Sequence, residues 1–264
     1  MTAATESLKP EARTGRLYLV PAPLDFGCAD LTPLPDVLPQ ATIAVAARLT
    51  DWICENAKSA RAYLKRVDAV VPLALPLQAQ QITELPRDAH KKGDHAGSPG
   101  ALFDARPLLT AALNGRDVGL LSEAGMPAVA DPGSSVVRAA HDLGLEVVAL
   151  TGPVSLLLAL AASGLNGQNF SFVGYLPQDA SERARRIREL ETLAMRPQLL
   201  TKTPSRIRAF PQAVLNLLQH NPRLSVSSGL TLPTAQTRSR LVKAWRQQPD
   251  GPDNSTPAVF AIGR

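Results

Sequence analysis

A chain of 264 residues with 45% hydrophobic content can bury one large core or two ordinary ones, and a division into two compact α/β units is expected. Two cysteines, Cys28 and Cys54, and four scattered histidines give neither a disulfide framework nor a spacing such as CxxC or HExxH, so a reducing cytoplasm and no structural metal follow. The net charge of +5 is compatible with an anionic partner and equally with an ordinary soluble surface, so charge alone does not argue for nucleic acid.

Residues 1–14, MTAATESLKPEART, are charged throughout and lack an apolar segment, which reads as a disordered tail rather than a signal peptide. Strands are expected at Leu17–Val20, Ile43–Ala46, Ala69–Leu73, Val118–Leu121 and Glu146–Leu150. Helices are expected at Asp51–Arg66, where Ile53, Ala57, Ala60 and Leu64 share one stripe, and at Leu108–Leu113 and Val136–Leu143. Such alternation implies a mostly parallel sheet. Between Pro86 and Pro99 the polar stretch PRDAHKKGDHAGSP is either a solvated loop or a lid that turns Lys91 and Lys92 towards an anionic ligand.

No residue from Val147 to Gln178 is charged, and VVALTGPVSLLLALAASGL approaches the roughly 20 residues that cross a bilayer. Gly152–Pro153 divides it, so a buried strand ending at Leu150 and a helix from about Val154 are expected, with no membrane span. The polar stretch Gly164–Asn169 then marks a boundary, giving an N-terminal α/β domain over 15–167 and a C-terminal one over 168–264. The second series runs strand Phe170–Tyr175, helix Ser181–Met195, strand Gln198–Thr201, helix Ser205–His220, strand Leu224–Ser228, helix Arg238–Gln247 and strand Ala258–Ile262. Arg183, Arg185, Arg186 and Arg188, with Lys202, Arg206 and Arg208, make either a basic face for RNA backbone or a solvated face, since Glu182, Glu189 and Glu191 interleave with them.

No serine elbow, paired-carboxylate constellation, Walker loop or GxGxxG follows any expected strand. What remains are the turns Ser122–Pro127 and Thr151–Ser155, both at carboxyl ends of strands, where open α/β sheets bind ligands. Ala124 and Gly125 leave backbone groups accessible to a polar ligand edge while Met126 packs on an apolar one. Glu123 meets a cation or an amine, or else caps the turn; Asp131, in ADPGSS, is read as a helix cap.

The blocks SEAGMPAVADPG, LTGPVSLLLALAASGLNG and FVGYLP resemble the tetrapyrrole-methylase superfamily of S-adenosylmethionine-dependent enzymes, and within it the branch that methylates small-subunit ribosomal RNA. LYLVPAPLDF, LLTKTPSRI and SSGLTLPTAQ resemble further motifs of that family. The resemblance implies two α/β/α domains, S-adenosyl-L-methionine in the cleft between them, and a homodimer. It places the donor against Pro21, Ala22, Pro23, Glu123, Ala124, Gly125, Met126, Val154, Ser155, Tyr175 and Ser227. The acceptor implied is a cytidine ribose 2′-hydroxyl, which needs a group to take up its proton. Alternatives are a small or tetrapyrrole-like acceptor, and a paralogue that binds the cofactor without catalysis.

Several positions depart from the branch. Where its first domain has an acidic-threonine-arginine motif, this chain has CENAKSAR, which keeps Glu55 as the candidate proton acceptor and Arg61 as a phosphate contact at altered spacing. Each is otherwise an ordinary exposed helix residue. In the second domain Lys202, Ser228–Gly229 and Ala235 stand where the branch has carboxylates and an arginine, so the acceptor is less well specified than the donor.

Overall fold

The computed structural model describes residues 13–86, 103–177, 179–202, 215–248 and 256–264, with backbone alone at 201 and 202. The tail up to residue 12, the Lys91–Lys92 loop, most of the Ser205–His220 segment including Arg206 and Arg208, and the side chain of Lys202 lie outside the described residues. Contacts divide the chain into one unit of Met1–Val20, Gln40–Glu123 and Pro127–Thr151, and another of Pro21–Pro39, Ala124–Met126 and Gly152–Arg264. The stretch Gly164–Asn169 therefore lies inside the second unit, and the chain makes its last crossing at Thr151–Gly152.

The first unit is built on strands β1 (Leu17–Val20), β2 (Asp51–Cys54), β3 (Gln81–Glu84), β4 (Val118–Leu121) and β5 (Val147–Ala149), all parallel, in the order β3-β2-β4-β1-β5. The inner strands β2 and β4 are buried at every residue, as expected where helices cover both faces of a parallel sheet. Leu17, Ile53, Leu109, Leu120, Val136 and Ala140 form one of its cores.

Three expectations fail here. Ile43–Ala46 belongs to a helix, Gln40–Arg48, because Thr42, Ile43, Ala46 and Ala47 recur at helical spacing and all are buried. Asp51–Cys54 is a strand rather than the start of a helix: the helix begins only at Ala57, where Asn56 caps it. Ala69–Leu73 is a turn after that helix, held by Val67 carbonyl bonds to Val70 and Val71 and by the Asp68 carboxylate on the Leu73 N–H. Strand β3, sequence QITE, escapes prediction because an exposed edge strand carries no apolar run.

The second unit contains β6 (Ser171–Tyr175), β7 (Gln198–Lys202), β8 (Arg223–Ser228), β9 (Gln236–Leu241) and β10 (Ala258–Gly263) in the order β6-β7-β10-β8-β9. Only β6 and β7 are parallel; the other pairs are antiparallel. Alternation along β10 explains the two cores: Ala258, Phe260 and Ile262 join Ile187, Leu190 and Trp245, whereas Val259 and Ala261 meet Leu156, Ala159 and Leu160. The apolar helix Ser155–Ser163 is nine residues long and packs on that second face, ending at Gly164 in the left-handed conformation. Among the described residues no helix is long and apolar enough to cross a membrane.

Helix Ala180–Thr192 forms as the sequence predicts, capped by Asp179 on the N–H groups of Ser181 and Glu182. The expected helix Arg238–Gln247 is divided: Gln236–Leu241 pairs with β8 as an edge strand, and only Val242–Gln247 is helical. Its alternating TRSR suits an edge, since arginines there discourage pairing with a further strand.

Candidate active site

Strands β2 and β4 pair in register with Cys54 opposite Leu121, so Glu55 and Ser122–Glu123 leave the carboxyl end of the first sheet side by side. The Asn56 side chain accepts from the N–H groups of Lys58 and Ser59 at 2.8 and 3.3 Å. That cap fixes the first turn of helix Ala57–Asp68 and sets the Ser59 hydroxyl 3.1 Å from Glu123 Oε1 and 2.9 Å from the Asn56 carbonyl. From the end of β3, the Glu84 carboxylate accepts the Ala57 N–H at 2.6 Å.

The chain then returns a third carboxylate to this group. Ala128 and Ala130, at φ of 64° and 62°, and Gly133, at 124°, fold the segment after β4 back on itself. A left-handed alanine costs about 1–2 kcal/mol, so this turn is held against local preference. It brings Asp131 to Glu55 and Glu123. Burial first, then those two charges, push the Asp131 carboxyl up to about 7, although a hydrogen bond from Ser122 favours its ionised form. Gly133, not Asp131, is the N-cap of helix Ser134–Asp142, so the expected capping role fails.

Glu55 and Glu123 thus come together with Asp131, which sequence reasoning missed along with Ser59 and Ser122. The signal was ADPG itself, an acid beside proline and glycine in a tight turn, which reads equally well as a cap. Arg61 is exposed, its Nη1 at 3.4 Å from the Ala57 carbonyl of its own helix. Burial, followed by the charge of Glu84, pushes the Cys54 thiol up to about 12, which leaves it a protonated core residue and no nucleophile.

In the second unit, Ala22 and Gly125 exchange backbone hydrogen bonds of 2.9 and 3.0 Å in an isolated antiparallel bridge. Gly125 is at φ +76°, and a Cβ there would lie 3.2 Å from Leu24 and 3.5 Å from the Pro153 carbonyl. The bridge gathers Pro21–Pro23, Ala124–Met126 and Gly152–Val154 into one set of laced loops. The Gly125 N–H and C=O both serve this bridge. Val154 and Ser155 open helix Ser155–Ser163 without a side-chain cap. Tyr175, at the end of β6, is 59% exposed. Ser227 is an internal sheet residue: it is buried, flanked by β10 and β9, with its hydroxyl 2.9 Å from that of Thr237.

Residues 54–243 match the family model described as Tetrapyrrole (Corrin/Porphyrin) Methylases. The chain is similar to a ribosomal RNA small subunit methyltransferase I of Mesorhizobium japonicum, 34% identical over 53% of this chain and 48% of that protein. It is similar to another so named from Streptococcus pyogenes, 32% identical over 67% of this chain and 52% of that one. It thus spans about half the length of the curated relatives it matches. Its fold is similar to that of a solved uroporphyrin III C-methyl transferase from Thermus thermophilus, with a TM-score of 0.52 and 17% identity over 95% of this chain and 98% of that one.

Proposed function

The chain belongs to the tetrapyrrole methylase family, and from that premise we propose that it is an S-adenosylmethionine-dependent methyltransferase acting on an RNA ribose 2′-hydroxyl. The observation that carries the reading is the group Glu55, Glu123 and Asp131 at the carboxyl ends of β2 and β4, inside the matched residues. The relatives named for small-subunit ribosomal RNA support the choice of acceptor.

These carboxylates suit a cationic donor chemically. A sulfonium or ammonium charge brought against them removes the repulsion that helps hold a proton on Asp131. When bound, S-adenosylmethionine supplies an electrophilic methyl group on positive sulfur. Glu123, oriented by Ser59, meets the positive charge of the donor in this proposal; by the family resemblance Pro21–Pro23, Ala124–Met126 and Val154–Ser155 of the second unit are further candidate donor contacts. Tyr175 and Ser227 are weaker candidates on the same proposal, Ser227 because the sheet uses its hydroxyl.

An attacking hydroxyl must lose its proton. Glu55 accepts it, and Asp131, titrating near neutral pH, passes it to solvent or takes it directly. Leu157, Leu158, Phe172 and Tyr175 leave apolar surface on the second unit, which supports a homodimer.

A second reading, a tetrapyrrole-like acceptor, is favoured by the family description. Tritiated S-adenosylmethionine offered with small ribosomal subunits, total RNA and a low-mass extract separates the two. Label that enters RNA and is lost after ribonuclease supports the first. Label in the low-mass fraction that ignores ribonuclease replaces it with the second.

A further inference from the structure

Where the strands of the first sheet begin, Arg13, Arg16, Arg48 and Arg116 line a cavity of about 350 Å³ with Thr14 and Thr50. A glycine sets the segment that carries Arg13, Thr14 and Arg16: a Cβ on Gly15 would stand 2.1 Å from the Arg116 carbonyl oxygen, so only glycine lets the approach to β1 lie flush on the turn before β4. The Gly15 N–H then donates to the Ala112 carbonyl at 2.8 Å.

Three of the arginines are anchored. Arg16 Nε lies 2.7 Å from Glu146, Arg48 Nη1 lies 2.7 Å from Asp117, and Arg116 Nη2 lies 3.2 Å from Asp51. The Arg48 guanidinium also stacks 4.8 Å above the Tyr18 ring. A guanidinium carries five N–H donors, more than one carboxylate accepts, so the carboxylates position the arginines without exhausting them. Four arginines and one carboxylate, Asp117, line the cavity; counting Glu146 and Asp51, which pair with Arg16 and Arg116, the group keeps an excess of one positive charge. Among the lining residues Leu49 is the one apolar side chain and none is aromatic, so the walls present N–H donors suited to anions.

We infer that this cavity binds phosphate groups of an RNA backbone, at the end of the sheet opposite the carboxylates. The inference rests on the RNA reading above and deepens it. Strands of four residues hold the two ends roughly 13 Å apart, so the arginines contribute to affinity for the RNA and take no part in proton transfer.

The test is binding of a fluorescein-labelled single-stranded RNA to the full chain, followed by anisotropy across a KCl series. The double variant Arg13→Ala/Arg116→Ala is expected to bind about tenfold more weakly at low salt. Its slope of log affinity against log salt falls by about 1.4, two phosphate contacts at about 0.7 each. With labelled donor its KM for RNA rises while kcat stays within about twofold, a split that general damage to the fold does not produce. Arg13→Gln, which disturbs none of the three anchored pairs, is expected to lower the slope by about 0.7 and guards against misfolding of the double variant.

Wild-type affinity and slope in both variants overturn the inference and leave the RNA reading standing. A wild-type chain that binds no RNA overturns both. Displacement of the RNA by equimolar ATP assigns the cavity to a free nucleotide and overturns the inference.

Discussion

At the carboxyl end of the first sheet Glu55, Glu123 and Asp131 crowd one another, whereas at its amino end Asp117, Asp51 and Glu146 each meet an arginine. The two ends answer pH with opposite sign. Asp131 is raised by burial and by its acidic neighbours, so the folded state holds its proton where the unfolded chain has released it. The stability this gives is complete below the unfolded carboxylate range and is lost as pH rises towards about 7. Asp117 is pushed up by burial, but Arg48 and the Arg16 N–H outweigh that and hold it low. Its stability is present above the unfolded carboxylate range and is lost as pH falls. Self-neutralising pairs are what a fold needs for itself; mutual repulsion of half-buried carboxylates is what a site tolerates for chemistry.

The largest expected effect tests the acidic end. Glu55→Gln and Asp131→Asn should each lower methyl transfer by roughly 10²- to 10⁴-fold, the range for loss of a proton acceptor, with affinity for S-adenosylhomocysteine kept within about threefold. Transfer at the wild-type rate in both variants would remove proton handling from this end. Stability gives the next effect. At pH 8 Asp131→Asn should be more stable than the wild type by up to about 4 kcal/mol, roughly 1.4 per pKa unit, and the gain should vanish near pH 4. Urea unfolding of both proteins at the two pH values measures it; a difference independent of pH breaks the contrast between the ends.

Gly125→Ala comes third. It forces a side chain into a left-handed backbone and against Leu24 at 3.2 Å, and should destabilise by about 1–2 kcal/mol. A melting temperature equal to that of the wild type would mean that the Ala22–Gly125 bridge relaxes freely.

The ends were not equally legible in the sequence. Glu123 could be singled out because motif and strand end coincide there, whereas Glu55 was reached by the family motif alone, the sequence pattern having put it inside a helix. Asp131 could not, since its role depends on two left-handed alanines that no propensity favours. The cavity of Arg13, Arg16, Arg48 and Arg116 was invisible, because three separate strand starts contribute to it. In the fold, the fully buried strands β4 and β10 and the capped helix Ala180–Thr192 follow from local pattern. Errors fell where pattern and context disagree. Ile43 and Val45 are β-branched in a helix that burial decides, and β9 has arginines that look helical until β8 pairs with them.

The smallest expected effect returns to the amino end. Arg48 and Asp117 lie 2.7 Å apart, with side chains 47% and 29% exposed, so solvent screens their attraction. A double-mutant cycle with Arg48→Met and Asp117→Asn should give a coupling of about 0.5–1 kcal/mol that shrinks in 1 M salt. A value that small means the pair orients a guanidinium without holding the fold, as a wall of an anion-binding cavity requires. A coupling above about 3 kcal/mol that resists salt would instead make the pair part of the core, and the arginines of this end would then be explained by folding alone.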